Sequence, residues 1–116
     1  MDDVASPAES LGERLTREVD RVADRLRTLS AARLREPVAG YASRADAGRA
    51  AAQALADACA ELEATVRRRL PELADFAVGD QVAVTGADLV AAVRTAAVTQ
   101  PVSDALEELV RVRRLL

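Results

Sequence analysis

The residues of this chain whose types and spacing could do chemistry are two carboxylates, one thiol and two arginine runs. Asp57 and Glu61 stand four apart, which on a helix places them on one face. Like charges at that spacing repel, and a hard divalent cation would relieve the repulsion; the plainer reading is a solvated polar face. Cys59 lies between them. A reactive thiolate needs a helix N-terminus or a neighbouring cation, whereas Cys59 keeps helical register with Leu55, Leu62 and Val66 and reads as a small core residue.

The arginine runs are Arg67, Arg68 and Arg69, and Arg111, Arg113 and Arg114. Both are expected in the last turn of a helix, where cations complement the helix dipole. Brought together in space they would form one anion patch for a phospho-ligand or nucleic acid. On the first predicted helix Arg14, Arg17, Arg21 and Arg25 are interleaved with acids. Glu13–Arg17, Glu18–Arg21 and Asp24–Arg27 are ordinary helix pairs, as is Glu107–Arg111, and they weaken the field that nucleic acid needs. "GDQVAVTG", residues 79–86, invites a phosphate-loop reading. Its glycines are too far apart, Asp80 would repel an anion, and no Lys follows.

Composition removes most other chemistry. The 116 residues include no His or Lys, so all 16 basic residues are Arg. The usual proton shuttle, Schiff-base amine, P-loop cation and His-containing di-iron set are therefore missing, and one Cys without His does not make a zinc site. No residue set that would carry a reaction is found, and no cofactor or metal is expected. Ile and Asn are also absent, which points to GC-rich coding and explains part of the arginine content. The net charge of −3 disfavours a general nucleic-acid surface. A single Cys asks for no oxidising compartment. The acidic start "MDDVASPAES" lacks the basic and apolar regions of a signal peptide, and no uncharged apolar run approaches the roughly 18–20 residues of a membrane span. The expected setting is cytoplasmic, without a membrane.

These residues must be positioned by helices. Ser6, Pro7 and Glu9 form an N-terminal cap signature, after which Leu11, Leu15, Val19, Val22, Leu26 and Leu29 make one apolar stripe. Pro37 ends this helix near Arg35. After the "PVAGY" turn, where Tyr41 covers the end of the bundle or stacks on a ligand, Ser43 and Asp46 cap a second helix. It carries Ala47, Gly48, Ala51, Ala52, Leu55, Ala58, Leu62 and Val66 until Pro71. Its small side chains allow close helix approach, and the first two helices are expected to pair as an antiparallel hairpin. "FAVGDQVAVTGADL", residues 76–89, reads as a structural corner with a few strand residues. There Phe76, Val78, Val82 and Val84 plug the bundle, Gly-Asp makes a type II′ turn, and Thr85 caps the third helix. Pro101 opens the last helix, with Val102, Leu106, Leu109 and Leu116 on one face.

The expected fold is thus all-α. It is one domain over 1–116 with a flexible 1–6, an antiparallel bundle of about four helices at roughly 7–35, 44–70, 86–98 and 102–115. An irregular or hairpin-like connection occupies 72–85. "FAVGDQVAVTGADL" and "RLRTLSAARL" together resemble segments of small uncharacterised actinobacterial helical proteins; the resemblance implies a shared fold and brings no activity, ligand or site residue. The expected function is a non-enzymatic helical protein-interaction module: an adaptor, regulator or assembly subunit. It is expected to be homodimeric through Leu15, Val19, Val22, Leu26 and Leu29, with another protein as a further partner. The alternative is a nucleic-acid-associated or phospho-ligand-binding regulator using Arg67, Arg68, Arg69, Arg111, Arg113 and Arg114.

Overall fold

The structure, a computed structural model, describes residues 7–116, with side chains from Leu11 onward. The expected cap at Ser6 and Glu9 and the expected flexible 1–6 lie outside what is described. The described residues are all-α and contain no strand. They form α1 (Pro7–Thr28), α2 (Ala31–Arg35), α3 (Arg44–Leu62), α4 (Val78–Val93) and α5 (Gln100–Leu115), with a 3-10 turn at Asp75–Ala77.

The first expected helix is two helices. At its expected continuation Ser30 takes extended backbone geometry, and its hydroxyl accepts from the Arg33 N–H at 3.1 Å, which starts α2. A Ser that can cap is a poor helix interior residue, and here the cap wins. The turn after α2 uses Gly40 at φ +87° and a bridge between Val38 and Tyr41. Ser43 caps α3 as expected, accepting from the Asp46 N–H at 3.0 Å.

α3 ends at Leu62 rather than near Leu70. Its terminus is a Schellman motif in which Thr65 N–H donates to Ala60 O at 2.9 Å and Ala64 N–H to Glu61 O at 3.3 Å. Ala64 occupies the left-handed position, at φ +55°. That conformation costs a non-glycine residue about 1–2 kcal/mol, of which glycine's larger unfolded freedom returns about 0.5–1 kcal/mol. Ala64→Gly is therefore expected to stabilise the protein by about 0.5–1 kcal/mol, measured as a rise in the urea midpoint at unchanged slope.

The early stop has a topological cause. Gly48 near the start of α3 faces Val78 at the start of α4, while Cys59 and Ala60 share a groove with Thr85 and Asp88 further along both helices. The two helices run parallel, so the chain must return along the whole of α3 before α4 begins. Residues 63–74 are that return, an extended strap.

The expected corner is instead helix. The 3-10 turn and α4 cover residues 75–93, so the hairpin-like connection at 72–85, the type II′ turn and the Thr85 cap are all corrected. Thr85 is inside α4, its hydroxyl donating to Gln81 O at 2.8 Å. Val78 and Val82 enter the core, but Phe76 and Val84 are 80% and 62% exposed and plug nothing. The glycines serve close approach. A Cβ on Gly86 would lie 2.4 Å from Val19 Cγ1, and one on Gly79 would lie 2.9 Å from Ala23 O, so α4 presses against α1 along a seam seven residues apart.

α1 packs on α4 and α5, and α3 packs on the same two helices. α1 and α3 meet only marginally, so the expected hairpin between them does not form. α1 opposes α4 in direction, as Val19 against Gly86 and Ala23 against Gly79 require. α5 runs alongside α1, tied by Arg113–Glu18 at 2.8 Å and by Arg25 donating to Leu116 O at 2.9 Å. Residues Asp75–Val93 form a stretch of 19 residues with mean hydropathy 1.4, long and apolar enough by length and composition to cross a membrane. Asp80 and Asp88 interrupt it, and half of the window is buried within the fold.

Candidate interaction surfaces

The expected interface stripe faces inward. Leu15, Val19, Val22 and Leu26 are all buried in the chain's own core, and Leu29 is half-buried against it. Their partners are in cis: Val19 meets Gly86, and Leu26 meets Gly48. As a heptad-like spacing the stripe was legible; what it faces was not.

The two arginine runs border different grooves. Arg67, Arg68 and Arg69 are exposed on the strap, not in a last helical turn, and Arg67 pairs with Glu61 at 2.9 Å. Arg67 shares a groove with Pro101, Asp104 and Glu108 near the start of α5. Arg111 and Arg114 instead meet Arg14 of α1, around a groove of about 520 Å³ that also includes Ser103, Leu106 and Val110. Arg111 pairs with Glu108 rather than Glu107, and Arg113 is taken up by Glu18. Glu18–Arg21 and Asp24–Arg27 form as expected at 3.5 and 3.3 Å. Such exposed pairs contribute roughly 0–1 kcal/mol each.

Tyr41 has a partner. Its hydroxyl donates to Glu108 Oε2 at 3.1 Å and links the α2–α3 turn to α5. Burial and the adjacent Glu108 carboxylate raise its pKa. Asp57 accepts from Gln53 Nε2 at 2.9 Å, and Glu61 is engaged by Arg67. Among the described residues no three His, Cys, Asp or Glu side chains gather to hold a metal.

Cys59 is half-buried, and burial, followed by Glu63 and Asp88, pushes its thiol up to about 11. Its alkylation at neutral pH is expected to be much slower than that of a free thiol, and to accelerate continuously up to about pH 11. The unfolded chain releases this proton first. The stability it contributes is therefore complete below the ordinary thiol range and is lost as pH rises through the raised value. A plateau in alkylation rate near pH 9 would contradict the assignment.

The strap is held mainly by side chains that grip its backbone. Gln53 donates from Nε2 to Arg68 O at 2.9 Å and accepts from Leu70 N–H at 3.0 Å, reading both groups of one extended edge. Gln81, buried in α4, donates to Pro71 O at 3.0 Å. Arg49 donates to Leu73 O at 2.6 Å and to Asp75 at 2.8 Å. These satisfy carbonyls and an amide that have no ladder or helix of their own. Sequence reasoning missed them; the available signal was neutral Gln at 53 and 81 inside otherwise small or apolar helix faces.

Between the strap and α4 lies a groove of about 630 Å³. Ala56, Cys59, Ala60, Val66 and Leu70 give it an apolar lining, and Glu63, Arg68 and Asp88 add charge. The exposed large hydrophobics fall in one stretch of the chain. Among the described residues every exposed large hydrophobic side chain (Val66, Leu73, Phe76, Val84 and Val98) belongs to α4 or to the segments directly flanking it. α1, α2, α3 and α5 contribute none. Asp80, between Phe76 and Val84, is held by Arg27 at 2.8 Å. No protein-family model, curated protein or solved structure matches this chain.

Proposed function

We propose that the chain is a non-enzymatic helical protein-interaction module, homodimeric, that works through the outer face of α4. In this reading α1, α3, α4 and α5 are the four helices of one bundle. The observation that carries the proposal is the segregation of exposed large hydrophobics onto α4 and its flanks. Single exposed apolar residues need no explanation, but exposed large hydrophobics that recur only along one stretch of the chain, residues 66–98, single it out as the candidate contact region. The α1 stripe is already used in cis, which moves the expected interface from Leu15, Val19, Val22, Leu26 and Leu29 to Phe76 and Val84. The test is light scattering coupled to size exclusion over a concentration series. The native chain is expected to associate, and Val84→Asp, at a 62% exposed site, to stay folded while associating at least tenfold more weakly (about 1.4 kcal/mol). A native chain monomeric at every concentration would overturn the homodimer.

A second reading is a phospho-ligand or nucleic-acid regulator. It is favoured by Arg14 joining Arg111 and Arg114 around one groove beside Ser103. Binding of that kind weakens steeply with salt, and the absence of retention on heparin at low salt would remove it.

A further inference from the structure

We infer that the strap is a cleavage site for an arginine-directed endoprotease, latched by Gln53, and that cutting it opens the adjoining groove while the helices stay together. Of the 16 arginines, only Arg67, Arg68 and Arg69 lie in extended chain. Arg94 is in the turn that ends α4, and all the others are in helices. A protease takes its substrate as an extended segment and pairs with its backbone, which a helical arginine does not offer. Residues 66–73 make no backbone–backbone hydrogen bond, and from Glu63 to Ala74 every residue except Leu70 is exposed. Leu70 is the strap's one apolar anchor on the core. An exposed segment whose backbone is committed to neither helix nor ladder is where nicking concentrates.

One side chain closes most of the site. Gln53 Nε2 donates to Arg68 O at 2.9 Å, and Gln53 Oε1 accepts from Leu70 N–H at 3.0 Å. These are the carbonyl of the Arg68–Arg69 bond and the amide of the Arg69–Leu70 bond, so two of the three candidate bonds are held against α3. Among the described residues no hydrogen bond holds the Arg67–Arg68 peptide group. The Arg67 side chain meets Glu61, but that pair is exposed and weak. Hydrolysis adds water across the Arg67–Arg68 bond, leaving a carboxylate on Arg67 and an ammonium on Arg68. The cut divides the strap wall of the groove of about 630 Å³: Glu63, Thr65 and Val66 stay with one fragment, Arg68 and Leu70 with the other. α1 and α3 of the first fragment pack on α4 and α5 of the second, so the core keeps the bundle joined.

Limited trypsin digestion of the full folded chain tests the site. The first cut is expected after Arg67, giving two fragments that co-elute under native conditions and separate in denaturant. The rate is expected to change little at low urea, the sign of a local rather than a global opening. Gln53→Ala is expected to be nicked about tenfold faster, since two hydrogen bonds close the strap and cleavage follows the open population. It is also expected to add cuts after Arg68 and Arg69, with helical circular dichroism retained. Changing Arg67, Arg68 and Arg69 together to Gln is expected to abolish the nick in an equally folded chain. Cys59 lines the same groove, and its alkylation is expected to run several-fold faster in nicked than in intact protein as the cover lifts. A first cut inside a helix or at Arg94, a nicking rate that tracks global unfolding, or fragments that part without denaturant would overturn the inference. So would a Gln53→Ala chain nicked at the native rate, or Cys59 alkylation unchanged by the cut.

Discussion

Val22→Asp is expected to leave the protein unfolded at 25 °C. Val22 is fully buried on α1. Its removal forfeits about 1.5–3 kcal/mol of apolar burial, and a carboxylate without a partner at that position adds several kcal/mol. Together these approach the whole stability of about 5–15 kcal/mol available to a small domain. Far-UV circular dichroism is expected to lose its helical signal, with no cooperative thermal transition. The result separates the two places where an apolar stripe can act. Had Val22 belonged to a subunit interface, its substitution would give a folded monomer, and that outcome would refute the packing described for α1. Val84→Asp is the contrasting substitution, made at an exposed site with the fold retained.

Gly86→Ala is expected to destabilise the protein by about 1–2 kcal/mol. The added Cβ would meet Val19 Cγ1 at 2.4 Å and Cγ2 at 2.7 Å, separations that force α1 and α4 apart. Overpacking of this kind costs about 1–3 kcal/mol, and the better helix propensity of alanine returns about 1 kcal/mol at most. At an exposed helix position the same change would stabilise, so the sign alone tests the contact. Val19 is β-branched and stiff at χ1, so it cannot swing aside. Combining Gly86→Ala with Val19→Ala is expected to be less damaging than the sum of the two single changes, with a coupling of about 1 kcal/mol or more. Additive effects in denaturant titrations would mean that α1 and α4 do not touch at this point.

The two glycines also explain where sequence reading failed. Gly79 and Gly86, with Val78, Val82 and Val84 between and beside them, lower helix propensity enough to suggest a turn between short strands. Their seven-residue spacing was the countersignal, since glycines on one helix face mark a neighbour's close approach. The contact with Val19 and Ala23 that rewards this spacing is remote in sequence. The overlong α3 had a similar origin. "EATVRRRL" continues a tolerable helix pattern, and only the parallel placement of α4 obliges the chain to leave at Leu62 and return as a strap. Of the two arginine runs only Arg111, Arg113 and Arg114 fall in a last helical stretch as expected, while Arg67, Arg68 and Arg69 lie on the strap, and the separation of the runs into different grooves depends on which helices become neighbours.

By itself the sequence determined the all-α class, the Ser43 cap, the helix start at Pro101, the apolar stripe of α1 and the small-residue face of α3. These are local: periodicity, cap chemistry and side-chain size act within a few residues and need no neighbour. Tertiary structure decided that α4 is a helix, that α1 and α3 lie apart, that the return strap is gripped by Gln53, Gln81 and Arg49, and that Phe76 and Val84 stay exposed while Val78 and Val82 are buried. Each of those depends on which surfaces meet. Burial and close approach across distant segments there outweigh intrinsic preferences of at most about 1 kcal/mol per residue.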